Sequence, residues 1–233
     1  MSMIGKLVLI TGGTRGIGKT TAEWLAREGA AVCVTSRQTS PALPAAPLQS
    51  GMISTAMLDV TDEDSILRLF IWFQEQHGKL DVLVNNAGIG VFKPLADTTR
   101  EEWETVMATN LTGLFLCSRE AYRLMKRNGG GRIINLSSIT GYMPIPHNGA
   151  YGSSKHAVRG FSQICNEEWK QDRVFVTTIS AGAVRTEITD NRLFDTADML
   201  HPEDIADAIL NIASKPLTMR VDEIRILPPK GVL

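Results

Sequence analysis

Lys6-Leu7-Val8-Leu9-Ile10-Thr11-Gly12-Gly13-Thr14-Arg15-Gly16-Ile17-Gly18 decides the fold. Its first half is a short apolar run, the pattern of a strand buried on both faces. Its second half is a glycine turn, and the residues from Thr20 to Arg27 that follow read as helix. Strand, glycine turn and helix in this order bring a pyrophosphate up to a helix N-terminus. A Cβ would block the approach of backbone to phosphate, so Gly12, Gly16 and Gly18 are expected beneath it, with Thr14, Arg15 and Ile17 between them. The spacing is G-x-x-x-G-x-G instead of G-x-G-x-x-G, and the same glycines would also serve an ordinary tight turn.

Outward from that stretch, strand and helix patterns alternate to the end of the chain with no linker. Strands are expected at 6–11, 31–35, 53–58, 80–84, 131–136, 173–179 and 221–227. Helices are expected near 17–28, 62–77, 99–127, 150–171 and 202–214. Thr98 with Glu101, or Thr99 with Glu102, offers a capping box for the third helix, and Pro202 suits the first turn of the last. Right-handed crossovers then give a single α/β domain over residues 1–233, a Rossmann-like, doubly wound parallel sheet of about seven strands with helices on both faces. Pro41, Pro44 and Pro47 exclude an ordinary helix between Gln38 and Ser50.

The end of the second strand distinguishes between dinucleotides. An NAD site would place Asp or Glu there for the ribose hydroxyls. This chain has Ser36 and Arg37, with a second cation, Arg15, in the glycine turn. An acid would repel a 2′-phosphate, whereas two guanidiniums grip it with charge-assisted hydrogen bonds. The expected cofactor is NADP(H).

Further along, Tyr151 precedes Lys155 by one helical turn, and Ser138 arrives from a different segment. A free tyrosine has a pKa of about 10 and is a poor proton carrier near neutrality. A lysine cation beside it favours the phenolate, and a fall to about 7 would make the phenol a usable acid and base. A serine hydroxyl could then hold the same substrate oxygen, which describes a proton-transfer site for an alcohol or a carbonyl.

Taken together these motifs resemble the short-chain dehydrogenase/reductase family over nearly the whole chain. The turn Thr11 to Gly18 matches its glycine motif, and Asn85-Asn86-Ala87-Gly88 after the strand Val82-Leu83-Val84 matches its second signature. Asn110, Ser138, Tyr151 and Lys155 match its four catalytic positions in order. Asp59, followed by Val60, matches the acid that contacts the adenine ring. The resemblance implies that Tyr151 exchanges a proton with the substrate oxygen and that Ser138 orients that oxygen. It implies that Lys155 holds the nicotinamide ribose and lowers the phenol's pKa, and that Asn110 anchors a water relaying protons to Lys155. Gly182, Val184 and Thr186 match the segment that meets the nicotinamide amide. The type resembled most is the NADP-dependent 3-oxoacyl or 3-hydroxy-acid reductase, commonly a homodimer or homotetramer built on helices such as 103–126 and 151–170. An isomerase, or a redox sensor that binds NADP(H) without turnover, would use parts of the same machinery, although a sensor has no need of all four catalytic positions.

Two departures stand out. Ser180-Ala181-Gly182 replaces the usual Pro-Gly, which frees φ at Ala181. The substrate-lid segment, 187–201, is short, leaving Ile188, Leu193, Phe194, Met199 and Leu200 to cover the pocket. The residues expected around Tyr151 are Ile89, Val91, Phe92, Ile139, Tyr142, Met143, Ile145, Pro146 and His147, a mainly apolar set with no carboxylate clamp. They favour a hydrophobic or acyl-type carbonyl over a small acid.

The formal net charge is −1 and no basic run occurs, which argues against nucleic acid as a partner. No apolar stretch reaches the roughly 20 residues needed to cross a bilayer. The first strand begins almost at once, so no signal peptide is expected. Cys33, Cys117 and Cys165, and His77, His147, His156 and His201, lack metal-ligand spacing. The thiols read as buried and reduced, which fits the cytoplasm.

Overall fold

Strands β1 (Leu7–Thr11), β2 (Ala31–Ser36), β3 (Ile53–Met57), β4 (Val82–Asn85), β5 (Gly131–Ser138), β6 (Val174–Ala181) and β7 (Glu223–Ile226) form one parallel sheet in the order β3-β2-β1-β4-β5-β6-β7. These elements come from a computed structural model that describes residues 2–38, 42–187 and 198–231. The helices are α1 (Gly16–Arg27), α2 (Glu63–His77), α3 (Arg100–Met107), α4 (Leu114–Arg127), α5 (Gly149–Trp169) and α6 (Pro202–Ala213).

The apolar run of β1 is continuous because both of its faces are covered. Leu7 and Leu9 join the core formed with Ile66, Leu69 and Phe73 of α2 and Cys117 and Ala121 of α4. Val8 and Ile10 point the other way, into a core with Ala22 and Leu25 of α1 and Ile205 and Ile209 of α6. The period-2 alternation of strand side chains thus feeds two helical layers. The strand order reverses beside β1, which pairs β2 on one side and β4 on the other. That switch point opens a crevice beyond the carboxyl ends of the strands.

Two local expectations hold in detail. Thr99 caps α3, its Oγ1 accepting from Glu102 N at 3.2 Å while Thr99 N donates to Glu102 Oε2 at 2.9 Å. Pro202 opens α6. Residues 42–50 contain no helix, while Pro41 lies outside the described residues.

The expected single helix over 99–127 needs a correction. Between α3 and α4 the chain makes a π-turn, Ala108–Gly113, before the helix resumes. Gly113, at its end, packs closely on the segment after β3, where a Cβ would come within 2.5 Å of the carbonyl oxygen of Val60. Beneath the crevice a buried polar ladder ties the layers together. Asn85 Nδ2 donates to Ser118 Oγ at 2.9 Å and to Asn135 Oδ1 at 2.8 Å, and Asn135 Nδ2 donates to Ser162 Oγ at 2.9 Å. Cys33, Cys117 and Cys165 are free and buried, and burial pushes each thiol up to about 12. Among the described residues no helix is long and apolar enough to cross a membrane.

Candidate active site

A cavity of about 230 Å³ lies at the switch point, lined along one wall by Gly12, Thr14, Arg15, Gly16 and Ile17. The turn is held by the second sequence signature. Thr11 Oγ1 accepts from the backbone N–H groups of Asn86 and Ala87, both at 3.1 Å, and Asn86 Nδ2 donates to the carbonyls of Thr11 and Gly12 at 3.0 and 2.8 Å. Gly12 has φ +63 and lies so close to Ala87 that a Cβ would sit 3.0 Å from its Cα. Gly18 does not line the cavity; it lies beneath, where a Cβ would meet Asn86 Nδ2 at 2.6 Å. No side chain caps α1 and its first turn carries no acid, which leaves those N–H donors for an anionic ligand. The cradle therefore fits a dinucleotide pyrophosphate.

At one end of the cavity sit Ser36, Arg37, Asp59 and Val60. Asp59 Oδ1 accepts from Thr61 N at 2.9 Å and Thr61 Oγ1 at 2.7 Å. Burial opposes ionisation of Asp59, but these bonds and the charge of Arg37 hold the carboxyl below its ordinary value. Arg15 carries an ion pair with Glu187 across the cleft, both side chains being largely exposed. Sequence reasoning missed Glu187, since nothing local marks it as a neighbour of the glycine turn.

At the other end the catalytic candidates converge. Tyr151 and Lys155 line the cavity from α5, with Lys155 Nζ 5.5 Å from the centre of the phenol ring. The ammonium donates to the carbonyl of Leu136 at 2.8 Å. Ser138 closes β5 just behind the cavity lining, where its hydroxyl favours the ionised form of Tyr151, and it accepts at Oγ from Thr140 N at 3.2 Å. Phe92 meets the tyrosine edge-on, its ring centre 5.5 Å away.

Residues 6–196 match the family model described as short chain dehydrogenase. The chain belongs to the short-chain dehydrogenase family. It is 34% identical to a farnesol dehydrogenase of Aedes aegypti, with 96% of each chain covered. It is 38% identical to an NADP-dependent (R)-specific alcohol dehydrogenase of Lentilactobacillus kefiri, over 80% of this chain and 76% of that one. Among solved structures it is similar to a metagenomic short-chain oxidoreductase in complex with NADP, with TM-score 0.83, 28% identity, and 98% and 99% of the two chains covered.

Within this short-chain dehydrogenase several expected placements change. Burial raises the phenol of Tyr151 above its ordinary value, while the hydrogen bond with Ser138 pulls the other way. The expected net depression does not appear, because burial outweighs any pull towards the phenolate; the same burial brings the pKa of Lys155 from 10.5 to about 8, which still leaves it a cation near neutrality. Asn110 lies in the π-turn, not facing the cavity, and its amide is occupied. Its Oδ1 accepts from Ile89 N at 2.9 Å, and its Nδ2 donates to Ile89 O at 2.9 Å and to Ser154 Oγ at 3.1 Å. The side chain thus fixes the segment after Gly88, where a Cβ would stand 3.4 Å from Asn110 Oδ1 and 3.8 Å from Lys155 Nζ.

Of the three residues expected at the nicotinamide amide, Thr186 lines the cavity, while Gly182 and Val184 do not. Val184 is buried and bridges to Leu200, and Gly182 packs against Pro228. Met199 and Leu200, expected over the pocket, are buried, and Leu200 belongs to the core beneath α6. Ile188, Leu193 and Phe194 lie outside the described residues. His147 is exposed with φ +66, in a loop tied to the Phe92 segment by Lys93 N donating to its carbonyl at 2.9 Å. Among the described residues no cluster of His, Cys, Asp or Glu could hold a metal ion.

Proposed function

We propose that this short-chain dehydrogenase uses NADPH to reduce a ketone or aldehyde, and catalyses the reverse oxidation of the matching secondary alcohol. One observation carries the reading: a single cavity joins Ser36 and Arg37, with no acid at the end of β2, to Tyr151 and Lys155 at its far end. Arg37 and Arg15 bind the 2′-phosphate, the latter by exchanging its Glu187 partner for the phosphate. Asp59 holds the adenine, Thr186 the nicotinamide amide, and Lys155 the nicotinamide ribose. When bound, the cofactor supplies the hydride.

The chain supplies the proton and the orientation. Ser138 donates to the substrate oxygen, and Tyr151 delivers its proton there as negative charge develops. Lys155 then stabilises the phenolate that remains, and Asn110 fixes the Ile89 segment beside the cavity. Ile89 in the cavity lining and Phe92 against Tyr151 give the substrate an apolar surface, which favours a hydrophobic or 3-oxoacyl carbonyl. The relative named for farnesol, an apolar alcohol, supports that preference. Exposed Phe115 on α4 and Ile164 on α5 support assembly into a homodimer or homotetramer through those helices. The three buried thiols support a reducing, cytoplasmic setting.

The test is loss of NADPH absorbance with purified protein against ketones, aldehydes and 3-oxoacyl thioesters, with NADH in parallel. Turnover of one class with NADPH supports the reading and narrows the substrate. Binding of NADPH without turnover of any of them would point first to a substrate outside the panel and second to a redox sensor.

A further inference from the structure

Tyr151, Lys155 and Arg159 follow one another at intervals of four on α5 and so share one face of the helix. The third member reaches the turn that follows the catalytic serine. Arg159 Nη1 donates to the carbonyl of Gly141 at 2.8 Å. Its other edge is anchored on β7, with Nε donating to Glu223 Oε1 at 2.8 Å and Nη2 to Oε2 at 3.4 Å. The guanidinium stacks on Tyr142, 3.5 Å from the ring centre, and Arg225 lies 5.3 Å from the same ring. Both members of the ion pair are mostly shielded, at 22% and 27% exposure, so the contact is stronger than an ordinary surface pair.

The turn Ile139–Gly141 is the one Ser138 caps, through the bond from Thr140 N to its Oγ. The turn is pressed against α5: a Cβ on Gly141 would lie 2.8 Å from the carbonyl oxygen of Lys155 and 3.0 Å from Ser137 Oγ. Arg159 therefore ties three things together: the helix bearing Tyr151 and Lys155, the turn that sets the Ser138 hydroxyl, and the last strand of the sheet. We propose that Arg159, anchored by Glu223, is a positioning residue that holds Ser138 in register with Tyr151.

The inference rests on the carbonyl-reductase reading for its kinetic consequence, and on geometry alone for its structural one. Two readouts separate them: kcat with a carbonyl found in the NADPH screen, and exchange of the Thr140 amide proton followed by NMR. In Arg159→Ala, kcat falls about tenfold to a hundredfold, as for other small misplacements of reacting groups. The NADPH Kd stays unchanged and the Thr140 amide exchanges faster. Arg159→Lys recovers part of both, since an ammonium reaches either Gly141 or Glu223 but lacks the planar fork that serves both. Should Arg159→Ala not fold, Glu223→Gln is read instead, and a smaller loss in the same two quantities is expected. Wild-type kcat and Thr140 protection in the folded variants would overturn the proposal. So would a loss of kcat that merely tracks loss of NADPH binding. If the unmodified protein turns over no carbonyl, the reductase reading fails, and the Thr140 amide still decides this one.

Discussion

Replacing Lys155 by methionine removes a cation that the fold holds almost dry. The side chain is 6% exposed, and its ammonium makes one hydrogen bond, to the carbonyl of Leu136 at 2.8 Å. Burial brings its pKa from 10.5 to about 8, a difference worth ~3 kcal/mol between the two protonation states. Below about pH 8 both folded and unfolded chains carry the proton, so the folded state bears the whole cost of the buried charge. Between about 8 and the ordinary 10.5 the folded chain releases the proton first. The unfolded chain then binds more protons, and stability rises with pH across that window.

Methionine keeps an unbranched apolar stem without the charge. Against the ~3 kcal/mol stands the lost hydrogen bond, a charged one worth about 1.5–3 kcal/mol. Lys155→Met should therefore leave the cofactor-free protein more stable at about pH 7 by up to ~1.5 kcal/mol, with the gain shrinking towards about pH 10. Urea unfolding of both proteins at the two pH values measures this, and an NADPH assay on the same samples should show turnover lost. A variant less stable than the parent at neutral pH, or a difference that does not change with pH, would refute the claim that the buried ammonium is costly to the fold.

Tyr151→Phe should abolish turnover while NADPH still binds with nearly unchanged Kd, as read by nucleotide fluorescence; substantial residual turnover would remove the proton-donor role. Arg37→Asp should shift the ratio of kcat/KM towards NADH, and an unchanged preference for NADPH would show that the 2′-phosphate is held elsewhere. The direction of catalysis should depend on pH through Tyr151, whose phenol burial raises against the pull of Ser138. The protonated form needed for reduction is then present throughout the neutral range, whereas alcohol oxidation needs the phenolate and should speed up towards alkaline pH. Initial rates in both directions across pH would show it, and an oxidation rate already maximal near neutrality would contradict it.

Much of the fold was legible because the signals are local. The run from Leu7 to Ile10 is apolar without alternation, as a strand covered on both faces requires, and the register Leu7–Leu9 against Val8–Ile10 splits it between two cores. The glycine turn, the Thr99 capping box and the Tyr151–Lys155 spacing are likewise written within a few residues. The π-turn at Ala108–Gly113 was not legible, since no residue pattern within 99–127 interrupts the helical spacing there. Glu187 and Glu223 escaped notice because each matters only through an arginine distant in sequence, Arg15 and Arg159. Val184 and Leu200 were expected at the site, but each provides the other with a backbone bridge and both are drawn into the core.

The pKa of Tyr151 was misjudged for a related reason. Spacing puts the phenol beside the ammonium, and from spacing alone the nearer charge should dominate. Burial is a property of the whole assembled site, and it acts on both groups at once, raising the phenol and lowering the ammonium. Each is moved towards its uncharged form, so in the resting site the desolvation of the phenolate outweighs the attraction of a cation that is still charged near neutrality. A proton donor for carbonyl reduction gains from this arrangement, since the acid remains protonated until negative charge develops on the substrate oxygen. The charge of Lys155 is then most valuable after the proton has left, when a phenolate stands beside it in a medium that screens little. The same burial that makes Lys155 costly to fold makes its charge effective at that moment, which is why stability and turnover should move in opposite directions at this one residue.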